Sequence, residues 1–147
     1  MKITGRCLQT IVCLLGLVTV LSGCTGLSDK KIERYQINPW EPEIGYSQIV
    51  KHGNLFYFSG VTCGGKTDEE ALPMCYQALD DLLKKMNLTR DKIIQETIYA
   101  RDIENLKKQI PFRKAWYGAH HPAATWVQVD RLFDESHRFE IELIVSE

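Results

Sequence analysis

The side chains of this 147-residue chain that could do chemistry are few: five cysteines, four histidines and the carboxylates that alternate along its last segment. Cys7 and Cys13 lie in an apolar leader and Cys24 directly follows it, which leaves Cys63 and Cys75 for the body of the chain. An oxidising compartment would allow those two to pair. Small buried thiols are the other reading and the one expected here, although spacing alone leaves both open. His120 and His121 are adjacent and so point apart, while His52 and His137 fall in turns. No spacing matches a zinc motif, so surface positions and no metal are expected. The neighbours Arg101 and Asp102 could grip an anion, but a surface ion pair is the expectation.

The first 23 residues carry Lys2 and Arg6 ahead of an apolar run from 11 to 21 and include no acidic residue. That order is a secretory signal, and the run is too short to span a bilayer. Its end, Leu21-Ser22-Gly23-Cys24, resembles the lipobox of bacterial lipoproteins, in which the cysteine is lipidated and becomes the first residue. The organisation expected is a signal peptide over 1–23, a tether over 24–31 and one domain over 32–147, anchored to a membrane through Cys24. Thr25, where an acidic residue would favour inner-membrane retention, points to the periplasmic face of the outer membrane in a cell with two membranes. Removing Lys2 and Arg6 from 18 basic side chains leaves 16 against 19 acidic ones, a net of −3. Phosphate backbones are bound by clustered Lys and Arg, so this balance argues against nucleic acid.

These residues need a scaffold, and the hydrophobic periods predict one. Alternation suggests a first strand over 31–37, ended by Pro39 and Pro42. Strands over 46–51 and 55–61 flank His52-Gly53-Asn54, which supplies a hairpin turn. Thr67 with Glu70 has capping-box spacing and opens a helix to about Met86, where Asn87 can end it in a left-handed conformation. Ile94, Ile98 and Ala100 alternate with Gln95, Thr97 and Tyr99 in a further strand. A second helical stretch runs from about 103 to 117, kinked or restarted by Pro111 and closed by Gly118. Strands over 125–130 and 138–145 finish an α+β domain: about six strands in a mixed sheet, with two helices that can cover only one face.

On the last two strands Val127, Val129 and the series Phe139, Ile141, Leu143, Val145 are expected under the helices. The uncovered face then carries Ala124, Trp126, Gln128, Glu140 and Glu142, an aromatic set among polar groups. Such a surface suits an interface or ligand pocket, and burial by further copies of the chain is expected.

The runs Gly45-Tyr46-Ser47-Gln48-Ile49-Val50 and Gly53-Asn54-Leu55-Phe56-Tyr57-Phe58-Ser59-Gly60 resemble the opening signature of the Rid, or YjgF-type, family. Thr97-Ile98-Tyr99-Ala100-Arg101-Asp102 resembles its strand end, and Pro122-Ala123-Ala124-Thr125-Trp126-Val127-Gln128-Val129 with Glu140-Ile141-Glu142 its closing hairpin. The resemblance spans about 32–147. It implies a chorismate-mutase-like fold assembled as a homotrimer, with small-molecule clefts between subunits where the family's deaminases hydrolyse imines and enamines without metal or organic cofactor.

Position by position, the resemblance makes Tyr46 the pocket tyrosine, Ser59 and Gly60 the turn whose backbone faces the ligand, and Glu140 the acid that positions water. It adds Ala124, Trp126 and Gln128 as ligand-facing positions. Ala124 stands where the deaminases hold a carboxylate with an arginine, so the bidentate, permanently charged clamp is missing. Ile110 replaces an expected asparagine and Trp126 an expected cysteine, giving a more apolar pocket. Two function classes follow: a cofactor-independent deaminase or related hydrolase in which Glu140 is base and Tyr46 a donor, and a non-catalytic ligand-binding or structural lipoprotein that has lost the reaction. The acidic balance speaks against ribonuclease activity.

Overall fold

The computed structural model describes residues 31–147. The expected leader, Cys24 and nearly all of the tether lie outside the described residues. Six strands, β1 (Ile32–Tyr35), β2 (Ile49–His52), β3 (Leu55–Cys63), β4 (Ile93–Ala100), β5 (Ala123–Gln128) and β6 (Phe139–Ser146), form one sheet in the order β1-β2-β3-β6-β4-β5. Neighbours are antiparallel except β4 and β5. That parallel pair needs a crossover, and α2 (Ile103–Lys108) and α3 (Ile110–Tyr117) supply it. Helix α1 (Asp68–Lys85) links β3 to β4 by way of a short 3-10 turn. The architecture is the expected α+β mixed sheet.

Local chemistry explains the boundaries. Thr67 Oγ1 accepts from Glu70 N at 3.3 Å and Glu70 accepts from Lys66 N at 3.0 Å, so the start of α1 is capped from both sides. Asn87, at φ 56°, ends it in the left-handed region. The helical stretch over 103–117, expected to kink or restart at Pro111, is two helices, because Gln109 leaves helical geometry and Pro111 sits at the start of α3, where its missing N–H costs nothing. Asp102 caps α2 by accepting from Glu104 N and Asn105 N, while Arg101 donates to the Glu135 carbonyl. The ion pair expected between these neighbours is therefore replaced by two separate backbone tasks.

The core lies between α1 and the sheet, with Leu72, Tyr76, Leu79, Ile98, Phe139 and Ile141 almost wholly buried. Two expectations are corrected there. Cys63 and Cys75 are a disulfide, with Cα atoms 5.3 Å apart. Packing α1 on the end of β3 brings the two cysteines within bridging range without backbone movement. The second correction concerns β5. Ladder pairing sets Trp126 level with Ile98 and Ala124 level with Glu96, both on the helix side, and Val127 level with Tyr99 on the open side. The phase of β5 is opposite to that expected: the helix side takes the indole, whose N–H finds Glu96, and Val127 is left 37% exposed. A register irregularity between Ile93 and Gln95 similarly buries Ile93 and exposes Ile94.

Candidate functional site

Tyr46 reaches its place on a loop that has no ladder of its own. Its organiser is Glu41, fully buried. The Glu41 carboxylate accepts from the backbone N–H groups of Ile37, Asn38 and Gln48 at 2.8 to 3.1 Å and from the Asn38 amide at 2.9 Å. Its own carbonyl accepts from Tyr46 N at 2.8 Å. Burial alone would raise this carboxyl; the backbone donors outweigh it and hold the pKa below the usual carboxylate range. Trp40 stacks on Tyr46 with ring centroids 5.4 Å apart. Ser59 clips the loop to β3, its hydroxyl donating to Ser47 O at 2.8 Å and its carbonyl accepting from Gln48 Nε2 at 3.0 Å.

The Tyr46 hydroxyl then donates to Gly60 O at 3.2 Å. Gly60 lies in the β-bulge of β3, directly under the carboxylate of Glu140 from β6. A Cβ placed on Gly60 would sit 1.8 Å from Glu140 Oε1, so only glycine lets the two approach. Glu140 is half-buried, and among the described residues its carboxylate takes no hydrogen bond. Desolvation, and then the neighbouring Glu142, raise its pKa, while His137 pulls the other way. Tyr46 is raised by burial and by the Glu140 charge, so it stays a neutral phenol. Across the ladder, Tyr99 donates to Glu142 at 3.2 Å, which leaves Glu140 as the unengaged carboxylate of the pair. A cleft of about 420 Å³ opens beside Tyr46 and Gly60, bounded by Trp40, Thr62, Leu82 and Lys85. The cleft can hold a small molecule against the phenol; the Glu140 carboxylate does not line it and stands against its Gly60 wall.

One chain thus brings together Tyr46, Ser59, Gly60 and Glu140. It does not bring Ala124, Trp126 and Gln128 to them: β5 is two strands away from β6 at the sheet edge, and these side chains are on the helix side. Gln128 Oε1 accepts from Ile103 N at 3.1 Å and so helps to start α2. Trp126 joins a set that sequence reasoning missed. Glu96, fully buried, accepts from Tyr76 OH at 2.7 Å, Tyr117 OH at 2.8 Å, Arg113 Nε at 2.6 Å and Trp126 Nε1 at 3.4 Å. The Arg113 guanidinium lies over the Tyr117 and Trp126 rings at 4.6 and 5.0 Å. Burial and the Glu96 charge push both phenols far above their ordinary value, and they remain donors. The missed signal was parity: Glu96 shares its face with Ile98 and Ala100, so a core carboxylate needing partners was implied.

The endoribonuclease L-PSP family model matches residues 36–147. No curated protein matches the chain. Among solved structures, a member of the YjgF/YER057c/UK114 family from Mycobacterium tuberculosis is similar with a TM-score of 0.72 at 20% identity, covering 80% of this chain and 100% of its own. A YjgF-family protein from Neisseria meningitidis gives 0.71 at 22% identity over 81% of this chain and 97% of its own. A Rid-family protein of unknown function from Yersinia pestis gives 0.69 at 21% identity over 80% and 100%.

Proposed function

Because the chain belongs to the endoribonuclease L-PSP family, the group that includes the YjgF and Rid proteins, we propose that it binds a small metabolite beside Tyr46 and Gly60 and hydrolyses an imine with Glu140 as base. The observation that carries this reading is the Glu140 carboxylate: half-buried, raised, free of hydrogen bonds among the described residues, and pressed onto a glycine that exists in this sequence at the one place where it is needed. Glu140 takes a proton from water as the oxygen attacks the imine carbon and passes it to the substrate nitrogen as the C=N bond becomes single. Collapse of that adduct breaks the C–N bond, with Glu140 now carrying the hydroxyl proton of the adduct to the departing ammonia, so that a carbonyl product is left behind and the carboxylate is regenerated. An enamine enters the same route once Glu140 in its acid form has protonated the carbon. The Tyr46 hydroxyl offers its lone pairs directly, and its proton only when the ligand displaces the 3.2 Å bond to Gly60 O.

The cleft lies between the Tyr46 loop and α1, and assembly as a homotrimer would close it with a neighbouring copy. Export and anchoring through a lipidated Cys24 complete the proposal. The Cys63–Cys75 disulfide supports it, since such bonds persist outside reducing compartments. A net charge of −3 for the mature part keeps RNA cleavage out of the proposal. A second reading, ligand binding without chemistry, is favoured by Ala124, which provides no charged grip, and by Trp126, which is tied into the helix side.

The test is hydrolysis of freshly generated amino-acid imines by the purified protein beside a Glu140→Gln variant. General-base catalysis is worth roughly 10²–10⁴-fold, so a loss of that size is expected. Equal rates, both at background, would remove the enzyme reading and leave the binding one, and, since β5 lies at the sheet edge away from Tyr46 and Glu140 of the same chain, an Ala124→Arg variant that gained hydrolysis would show that an edge arginine grips substrate in the cleft of a neighbouring copy.

A further inference from the structure

Trp40 is 46% exposed, on a loop that holds it in place. Its carbonyl accepts from Glu43 N at 3.1 Å, and the amide of the next residue donates to Asn38 O at 3.2 Å. That next residue is Glu41, buried and fixed by the backbone donors around it. The indole meets the Tyr46 ring with centroids 5.4 Å apart and also lines the cleft of about 420 Å³. That volume falls within the ~300–1,000 Å³ of sites for small molecules. An indole held half in water forgoes burial that its large ring would otherwise gain. Ala78 and Leu82, four residues apart on one face of α1, give the cleft a second apolar wall. Among the described residues its charged lining is Asp81 and Lys85, opposite in sign and one turn apart on the same helix. Net charge therefore selects nothing here, and shape is left to decide.

We infer that Trp40 is the specificity-determining wall of this cleft: it selects ligands by a planar aromatic group laid on the indole, so the imine taken is one derived from an aromatic amino acid or an arylalkyl amine. The inference rests on the reading that this cleft binds a small metabolite, and not on the part given to Glu140. A flat ring and a puckered one of the same size bury similar areas, but only the flat ring gains the further attraction of offset stacking. Because the loop is already set by Glu41, little ordering is left for the ligand to impose.

Phenylacetamide and cyclohexylacetamide share a head group and differ in the flatness of the ring, which makes them the probes, with acetamide as the ringless control. The purified protein is titrated with each while NMR follows the three indole N–H signals. Phenylacetamide is expected to move the Trp40 signal saturably, with a midpoint at least about threefold below that of cyclohexylacetamide, while the signals of Trp116 and Trp126 stay in place. Trp40→Leu keeps an apolar side chain and removes the flat face, so cyclohexylacetamide should still bind, now as well as phenylacetamide, by saturation-transfer difference. Equal midpoints in the wild type, a preference that survives Trp40→Leu, or a response at Trp126 or Trp116 instead of Trp40 would overturn the inference. So would a Trp40 signal that moves with protein concentration and ignores all three amides, which would assign the indole to contact between copies. Binding of phenylacetamide at Trp40 without any imine hydrolysis would remove the enzyme reading alone; equal hydrolysis of the imines of phenylalanine and alanine would remove the ring selection alone.

Discussion

Replacing Glu41 with glutamine keeps the shape of the side chain and removes what its position requires, an acceptor on both oxygens. Oε1 accepts from Asn38 N and Nδ2, Oε2 from Gln48 N, and Ile37 N reaches both. An amide would turn an NH₂ toward one of these donor sets and leave about two charge-assisted bonds unmade. At roughly 1.5–3 kcal/mol each for bonds to a charged group, Glu41→Gln should cost about 3–6 kcal/mol. At about 4 °C per kcal/mol for a domain of this size, Tm should fall by about 12–24 °C, measured by circular dichroism at fixed protein concentration. The folded pKa is depressed, so this stability is present above the unfolded carboxylate value of about 4.3 and is lost as pH falls through the folded value. The gap between wild type and variant should therefore narrow below about pH 4. The local consequence is release of Tyr46, seen as loss of the Trp40–Tyr46 stacking contribution in near-ultraviolet dichroism. A Tm change under about 3 °C at pH 7, or a gap independent of pH, would refute the claim that this carboxylate holds the loop.

Gly60→Ala should leave Tm within a few degrees, because the atom it strikes at 1.8 Å is the end of a flexible side chain, yet displace Glu140 and depress imine hydrolysis nearly as far as Glu140→Gln. Reduction of the Cys63–Cys75 disulfide, which spans a sequence separation of 12, should cost about 3 kcal/mol by loop entropy and lower Tm by about 12 °C; an unchanged melt in reductant would contradict it. Glu140→Gln should raise Tm at pH 7 and not at low pH. A raised carboxyl stabilises the fold when protonated and loses that contribution as pH climbs through its folded value, so removing the charge helps only above it. A variant less stable than wild type at neutral pH would show that the carboxylate is structural.

The elements were legible where local chemistry decides. The Thr67–Glu70 box, Asn87 and Pro111 placed helix ends, and Gly53, at φ 65°, made the expected hairpin. Tyr46, Ser59, Gly60 and Glu140 came from the family resemblance and not from local chemistry; the fold sets them side by side, and their roles belong to the proposal. What could not be read was set by distant partners. β5 alternates large and small side chains on both faces, and its phase follows from a bond between Trp126 and a glutamate on the neighbouring strand. Glu41 and Glu96 look like solvated charges in the sequence and become buried because donors converge on them, from residues 37–38 and 48 on Glu41 and from α1, α3 and β5 on Glu96. The cysteine pairing was open for the same reason: spacing gives no angle between a strand end and a helix.

Glu140 as the base is the centre of the account, and its protonation can be followed directly. A site-specific ¹³C-carboxyl titration, run beside the pH dependence of imine hydrolysis, should give one shared midpoint for both, above the ordinary glutamate value of about 4.3. A Glu140 midpoint at or below that value, or a rate that ignores it, would contradict the assignment.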